Sequence, residues 1–144
     1  MLKKMVLGFV VSAFICACGA TNIHDAVKNQ NMSMVQYYVK EGRVNEKGAF
    51  GHTPLVIASY YGYPNMVRYL CGQGANVNAQ TSDGSTALFY ATKFKYRSVV
   101  EALLECGADP GIEDNSGHTA LFYAKDQGLE DIEEMLKKEA ASSK

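Results

Sequence analysis

Two of the three histidines in this chain lie in near-copies of one pentapeptide, GHTPL at 51–55 and GHTAL at 117–121. Recurring imidazoles are what a shared metal site or an acid–base pair would use, which makes His52 and His118 candidates, with His24 as the third. The four cysteines form a second set, Cys16 and Cys18 near the start and Cys71 and Cys106 in the body of the chain. Thiols can ligate a metal, act as nucleophiles or pair with one another. No Ser/His/acid arrangement, glycine-rich phosphate loop, CxxC or HExxH accompanies them, so no motif with a mechanism points to catalysis.

The spacing of the pentapeptides decides how to read them. Gly51, Gly84 and Gly117 fall 33 residues apart, as do Thr53, Thr86 and Thr119, Leu55, Leu88 and Leu121, and Ala58, Ala91 and Ala124. GQGANVNA at 72–79 corresponds to ECGADPGI at 105–112 at the same offset. A fixed period of this length means stacked supersecondary units. Each unit reads as Gly-x-Thr, a short apolar segment, a break, a second apolar-periodic segment and then Gly-Ala-Asn or Gly-Ala-Asp.

Local chemistry predicts where the helices begin and end. Thr53, Thr86 and Thr119 stand where an N-cap oxygen would satisfy free N–H groups of a first helix. Pro64 opens a second helix at the one place where its missing N–H costs nothing. Gly74 and Gly107 close second helices in the left-handed region. Met66, Val67, Leu70 and Cys71 recur as Val99, Val100, Leu103 and Leu104, an apolar face wide enough for two neighbours. Met34, Val35, Tyr38 and Val39 precede them, whereas Ile132, Glu133, Leu136 and Lys137 end the series half polar, as a terminal repeat requires. Ile23-His24-Asp25, where later units have Leu55-Val56-Ile57, is polar on the outward side at the other end.

GHTPLVIASYYG, QGANVNAQ and ECGADP resemble the ankyrin repeat family, whose unit has 33 residues, a TPLHxA signature, two antiparallel helices and a projecting turn. The resemblance implies an all-α solenoid of about four units over residues 22–138, divided near 22–50, 51–83, 84–116 and 117–138, with 139–144 as a tail. Val56, Phe89 and Phe122 stand where the family has histidine, which replaces a hydrogen-bonding network with apolar packing and is expected to loosen or tilt the turns. Lys95 stands where Gly62 and Gly128 occur, so the middle interhelical turn is expected to carry strain or take another shape.

This frame answers the question posed by the histidines. Equivalent positions two repeats apart are separated by roughly 20 Å when helices pack 8–10 Å apart. His52 and His118 therefore cannot share one metal, and all three histidines are expected to be turn or surface residues, with no metal, cofactor or catalytic residue assigned. Cys71 and Cys106 are expected to be free thiols, because adjacent repeats lie about 10 Å apart and a disulfide needs Cα atoms within about 7 Å.

Composition narrows the partners. The chain has 14 Lys and Arg against 15 Asp and Glu over 144 residues, a formal charge of −1 that offers nucleic acid no concentrated cationic surface. MLKK followed by the apolar run VLGFVVSAFIC and the small residues of ACGA has the three-part layout of a secretory signal, and the run is too short to span a bilayer. Ile15-Cys16-Ala17-Cys18 resembles a bacterial lipobox, with cleavage after 17 and lipid on Cys18; Cys16 is atypical there, and cleavage after 20 by ordinary signal peptidase is the alternative. Removal of residues 1–17 leaves 12 basic against 15 acidic side chains, so anchoring is expected through acyl chains alone.

In the family, partners are held by turn tips and by positions late in the first helix, which line a concave groove. Carried onto this chain, that nominates Phe50, His52, Tyr60 and Tyr61, then Asp83, Ser85, Lys93 and Phe94, and finally Ser116, His118, Asp126 and Gln127. The resemblance implies binding of another protein in general terms; with the signal-like start and no motif for catalysis, the chain is expected to be a monomeric, non-catalytic protein that binds a protein partner at the bacterial envelope. A structural envelope spacer and an immunity-type inhibitor of a secreted toxin enzyme are the alternatives.

Overall fold

The computed structural model describes residues 22–142, which hold eight α-helices and no strand. They come in four antiparallel pairs: α1 (Ile23–Lys28) with α2 (Met32–Lys40), α3 (Pro54–Tyr60) with α4 (Pro64–Gly72), α5 (Ala87–Lys93) with α6 (Arg97–Glu105), and α7 (Ala120–Asp126) with α8 (Glu130–Ser142). First helices pack in a row α1–α3–α5–α7, and behind them α4, α6 and α8 form a second row. The lipidation candidate Cys18, both cleavage sites and the last two residues of the tail lie outside the described residues.

The caps expected from sequence form. Thr53, Thr86 and Thr119 have extended backbones, and each side-chain oxygen accepts from the N–H three residues on, at Val56, Phe89 and Phe122. Asn22 and Asn31 do the same for the first unit. Pro64 occupies the first turn of α4. The residues that replace the family histidine thus leave the caps intact. Val56 and Phe89 are buried, while Phe122 remains 45% exposed in the last unit, where no further repeat covers it.

One core runs the length of the stack. Met34, Val35 and Tyr38 of α2, Met66, Val67 and Leu70 of α4, Val99, Val100 and Leu103 of α6, and Ile132 and Leu136 of α8 are buried at matching positions. The fourth member of each set, Val39, Cys71 or Leu104, is only half-buried, and Glu133 and Lys137 leave the outer side of α8 polar. Each fully buried Leu or Val contributes about 1.5–3 kcal/mol relative to exposure, so these shared faces, not the short helices themselves, hold the units together.

Among the described residues three non-glycine positions lie at positive φ, Gln30, Phe50 and Lys95. Lys95 lies at φ 62°, in the left-handed region that Gly62 and Gly128 occupy at 75° and 66°. The expected strain is therefore present, and the turn keeps the shape of its glycine counterparts. At the first hairpin tip Phe50 also lies at φ 56° beside Gly51 at 73°. Its carbonyl accepts from Ser82 N–H of the next tip at 2.9 Å, which helps hold it there.

The cysteine expectation is overturned. Cys71 and Cys106 are joined by a disulfide, with Cα atoms 6.2 Å apart. The 10 Å argument applies to equivalent positions, and the equivalent of Cys71 is Leu104. Cys106 is two residues farther on, at the C-cap of α6, where the chain turns through Gly107 at φ 85° and falls back toward the end of α4. The bond clips the second unit to the third.

Candidate groove for a protein partner

The first helices present their exposed sides along one face, and on it the side chains of neighbouring units touch. Tyr60 meets Tyr61 at 5.2 Å between ring centres, Phe94 of the next unit at 4.9 Å and Tyr90 at 5.8 Å. Tyr90 in turn meets His52 at 5.7 Å, and Phe50 lies 6.3 Å from His52. Most of these contacts are edge-to-face, the arrangement favoured by ring quadrupoles. A continuous aromatic strip therefore crosses the boundary between the second and third units.

Beside this strip lies an open pocket of about 370 Å³ whose apolar wall is formed by Phe50, Ile57, Tyr60 and Tyr61. His24, Asp25, Lys28 and His52 supply its polar rim. His24 is itself held by the Glu46 carbonyl, 2.9 Å from its Nε2. Phe50 is 78% exposed, the most open large apolar side chain among the described residues, and it stands on the strained tip described above. An exposed aromatic fixed on a strained backbone is a feature that folding alone does not require.

The tips are fastened to one another. Asn115 N–H donates to the Asp83 carbonyl at 3.0 Å, and the Asn115 amide donates to the Ser82 carbonyl at 3.1 Å. The Gln80 amide donates to the carbonyls of Gly84 and Glu113. Asp83 accepts from the Thr81 hydroxyl and from Ser85 N–H, and Asp114 accepts from His118 N–H at 3.0 Å and from the Tyr123 hydroxyl at 2.9 Å. Burial pushes both carboxyls up, but these hydrogen bonds outweigh it and hold them below the usual carboxylate range. Burial raises the Tyr90 phenol, so it stays protonated at neutral pH with its oxygen 3.4 Å from His52 Nε2.

The nominated residues divide accordingly. Phe50, His52, Tyr60, Tyr61 and Phe94 are brought together on the strip and pocket. Lys93 is exposed, with its Nζ 5.6 Å from the Phe89 ring centre. Asp83 and Ser116 are exposed at tips, and Asp126 and Gln127 end α7 away from the strip. Ser85 is a correction: it is 2% exposed, and its carbonyl accepts from both Thr81 N–H and the Thr81 hydroxyl, so it closes the tip instead of presenting a surface.

His118 is half-buried, stacked on Phe122 at 4.0 Å, and shares no contact with His52. Among the described residues no group of three His, Cys, Asp or Glu is arranged to hold a metal.

Sequence reasoning missed Tyr90, which joins the two halves of the strip. The signal was available: Tyr90 lies one helical turn before Lys93 and Phe94, on the same face.

Comparison with known proteins matches a family model described as ankyrin repeats, in three copies, to residues 23–114. The human protein phosphatase 1 regulatory subunit 27 is 38% identical over 68 residues, which is 46% of this chain and 44% of that protein. Its mouse counterpart is 39% identical over 62 residues, covering 42% and 40%. Zebrafish ankyrin repeat domain-containing protein 29 is 40% identical over 57 residues, 38% of this chain and 19% of that one. The matched stretch is thus less than half the length of each of these relatives.

Proposed function

Starting from the fact that this chain belongs to the ankyrin-repeat family, we propose that it is a non-catalytic module whose ring-lined groove holds a protein partner in an exported setting. The single observation that carries the reading is the aromatic strip from Tyr61 through Tyr60 to Phe94 and Tyr90, beside a pocket and ending at Phe50. Large apolar rings on the open face of a rigid scaffold are the composition of binding hot spots. A core residue would be covered; Tyr60, Tyr61 and Phe94 are 37–41% exposed.

Two relatives are named as regulatory subunits of a phosphatase. What transfers from that name is the kind of role, control of another protein by binding it. An immunity-type inhibitor of a secreted enzyme is a case of the same role.

Export is supported by the signal-like start, and the Cys71–Cys106 disulfide agrees with it, because such bonds persist in oxidising compartments. In this reading the mature chain begins at lipidated Cys18. No helix among the described residues is long and apolar enough to cross a membrane.

The test is affinity capture with full-length protein from its own cells, wild type against Tyr60→Ala/Tyr61→Ala/Phe94→Ala. The reading expects a protein retained in near-stoichiometric amount by the wild type and lost from the folded variant. Identical captures from both would remove the groove from the account.

A further inference from the structure

Charge is segregated across this groove. Each first helix of the second and third units begins at a hairpin tip and ends at an interhelical turn about 10 Å away, so tips and turns are its two edges. The interhelical turns of the first three units, residues 28–32, 60–65 and 93–98, contain Lys28, Lys93, Lys95 and Arg97 and no acidic residue. The tips, residues 46–52, 79–85 and 113–118, contain Glu46, Asp83, Glu113 and Asp114 against Lys47.

Arg97 is engaged by Glu101 and Asp131 at 3.1 and 3.2 Å. Lys28, Lys93 and Lys95 are exposed and enter no ion pair among the described residues. The same edge carries five of the seven exposed large apolar side chains, Met32, Tyr60, Tyr61, Phe94 and Tyr96, so cations and rings are interleaved there.

We propose that the partner offers an acidic segment with one large apolar anchor, the anchor seated in the pocket between Phe50, Ile57, Tyr60 and Tyr61 and the flanking carboxylates meeting Lys28 and Lys95. This deepens the groove reading and rests on it. Lys28 lines the pocket together with Asp25, and Lys95 follows Phe94, whose ring lies against Tyr60. A basic segment would set like charges against both lysines, which opposes docking.

Random-peptide display against the full-length protein reads the partner's chemistry directly. The enriched sequences are expected to be acidic around a Phe, Tyr, Trp, Leu or Met. A synthetic enriched peptide is expected to bind about tenfold more weakly to Lys28→Gln/Lys95→Gln, and more weakly as salt rises. Both lysines are exposed, so that variant keeps the fold, checked by circular dichroism.

Enrichment of neutral or basic peptides that still depend on Tyr60 overturns the acidic partner and leaves the groove standing. Peptides indifferent to Tyr60→Ala defeat both. Failure to enrich any sequence, or lysine-dependent binding to phosphatidylglycerol vesicles in place of peptides, also overturns the proposal.

Discussion

Reducing the Cys71–Cys106 bond is the perturbation whose size follows most directly from the structure. The bond closes a loop of 35 residues. In the chain-entropy treatment such a loop lowers the entropy of the unfolded chain by about 12.7 cal/mol/K, or about 3.8 kcal/mol at 25 °C. A small domain is stable by about 5–15 kcal/mol in total, so this is a large share. With a urea slope of about 2 kcal/mol/M, the unfolding midpoint should fall by about 2 M.

The assay is urea unfolding followed by far-UV circular dichroism, with and without a phosphine reductant, repeated on Cys71→Ser/Cys106→Ser without reductant. Reduction and double substitution should lower the midpoint equally, and the slope should hold if the chain still unfolds as one unit. Thiol labelling of the unreduced protein should find neither cysteine. Coincident midpoints, or labelling of both thiols in the unreduced chain, would refute the reasoning.

Other outcomes follow from single contacts. Lys95→Gly relieves a left-handed φ that Gly62 and Gly128 already occupy, and should raise stability by about 0.5–1 kcal/mol in the same urea assay. Leu103→Ala empties a fully buried position on a face shared by two units and should cost about 2–5 kcal/mol, read as a lower midpoint. Asp83 and Asp114 have depressed folded pKa values, so their contribution is complete above the ordinary aspartate value of 3.8 and is lost as pH falls through the lower folded value. Thermal scans from pH 6 down to about pH 2 should show that loss, and Asp114→Asn should flatten it while costing about 1 kcal/mol at neutral pH.

The repeat, its caps and its stacking faces were legible because each is written locally and then repeated. Thr53, Thr86 and Thr119 cap by side-chain chemistry that needs no tertiary context, and the buried residues Met66, Val99 and Ile132 recur 33 positions apart. The disulfide was not legible, since it joins non-equivalent positions and depends on how the end of α6 falls back toward α4. The groove was half legible: Tyr60, Tyr61 and Phe94 follow from register, but their joining through Tyr90 depends on side-chain contacts between units. Ser85 was misplaced because register puts it at a tip and only the turn's own hydrogen bonds reveal that it points inward.

The account's central claim is that the working surface is the ring-lined groove and not the opposite row of second helices. Site-specific photocrosslinking in living cells tests it most directly, with the photoreactive residue placed at Phe50 or Tyr61 in the groove and at Arg68 or Glu105 on the second helices. The account predicts one discrete protein adduct from Phe50 and Tyr61 and none from Arg68 or Glu105. An adduct from Arg68 or Glu105 with nothing from the groove positions would contradict it.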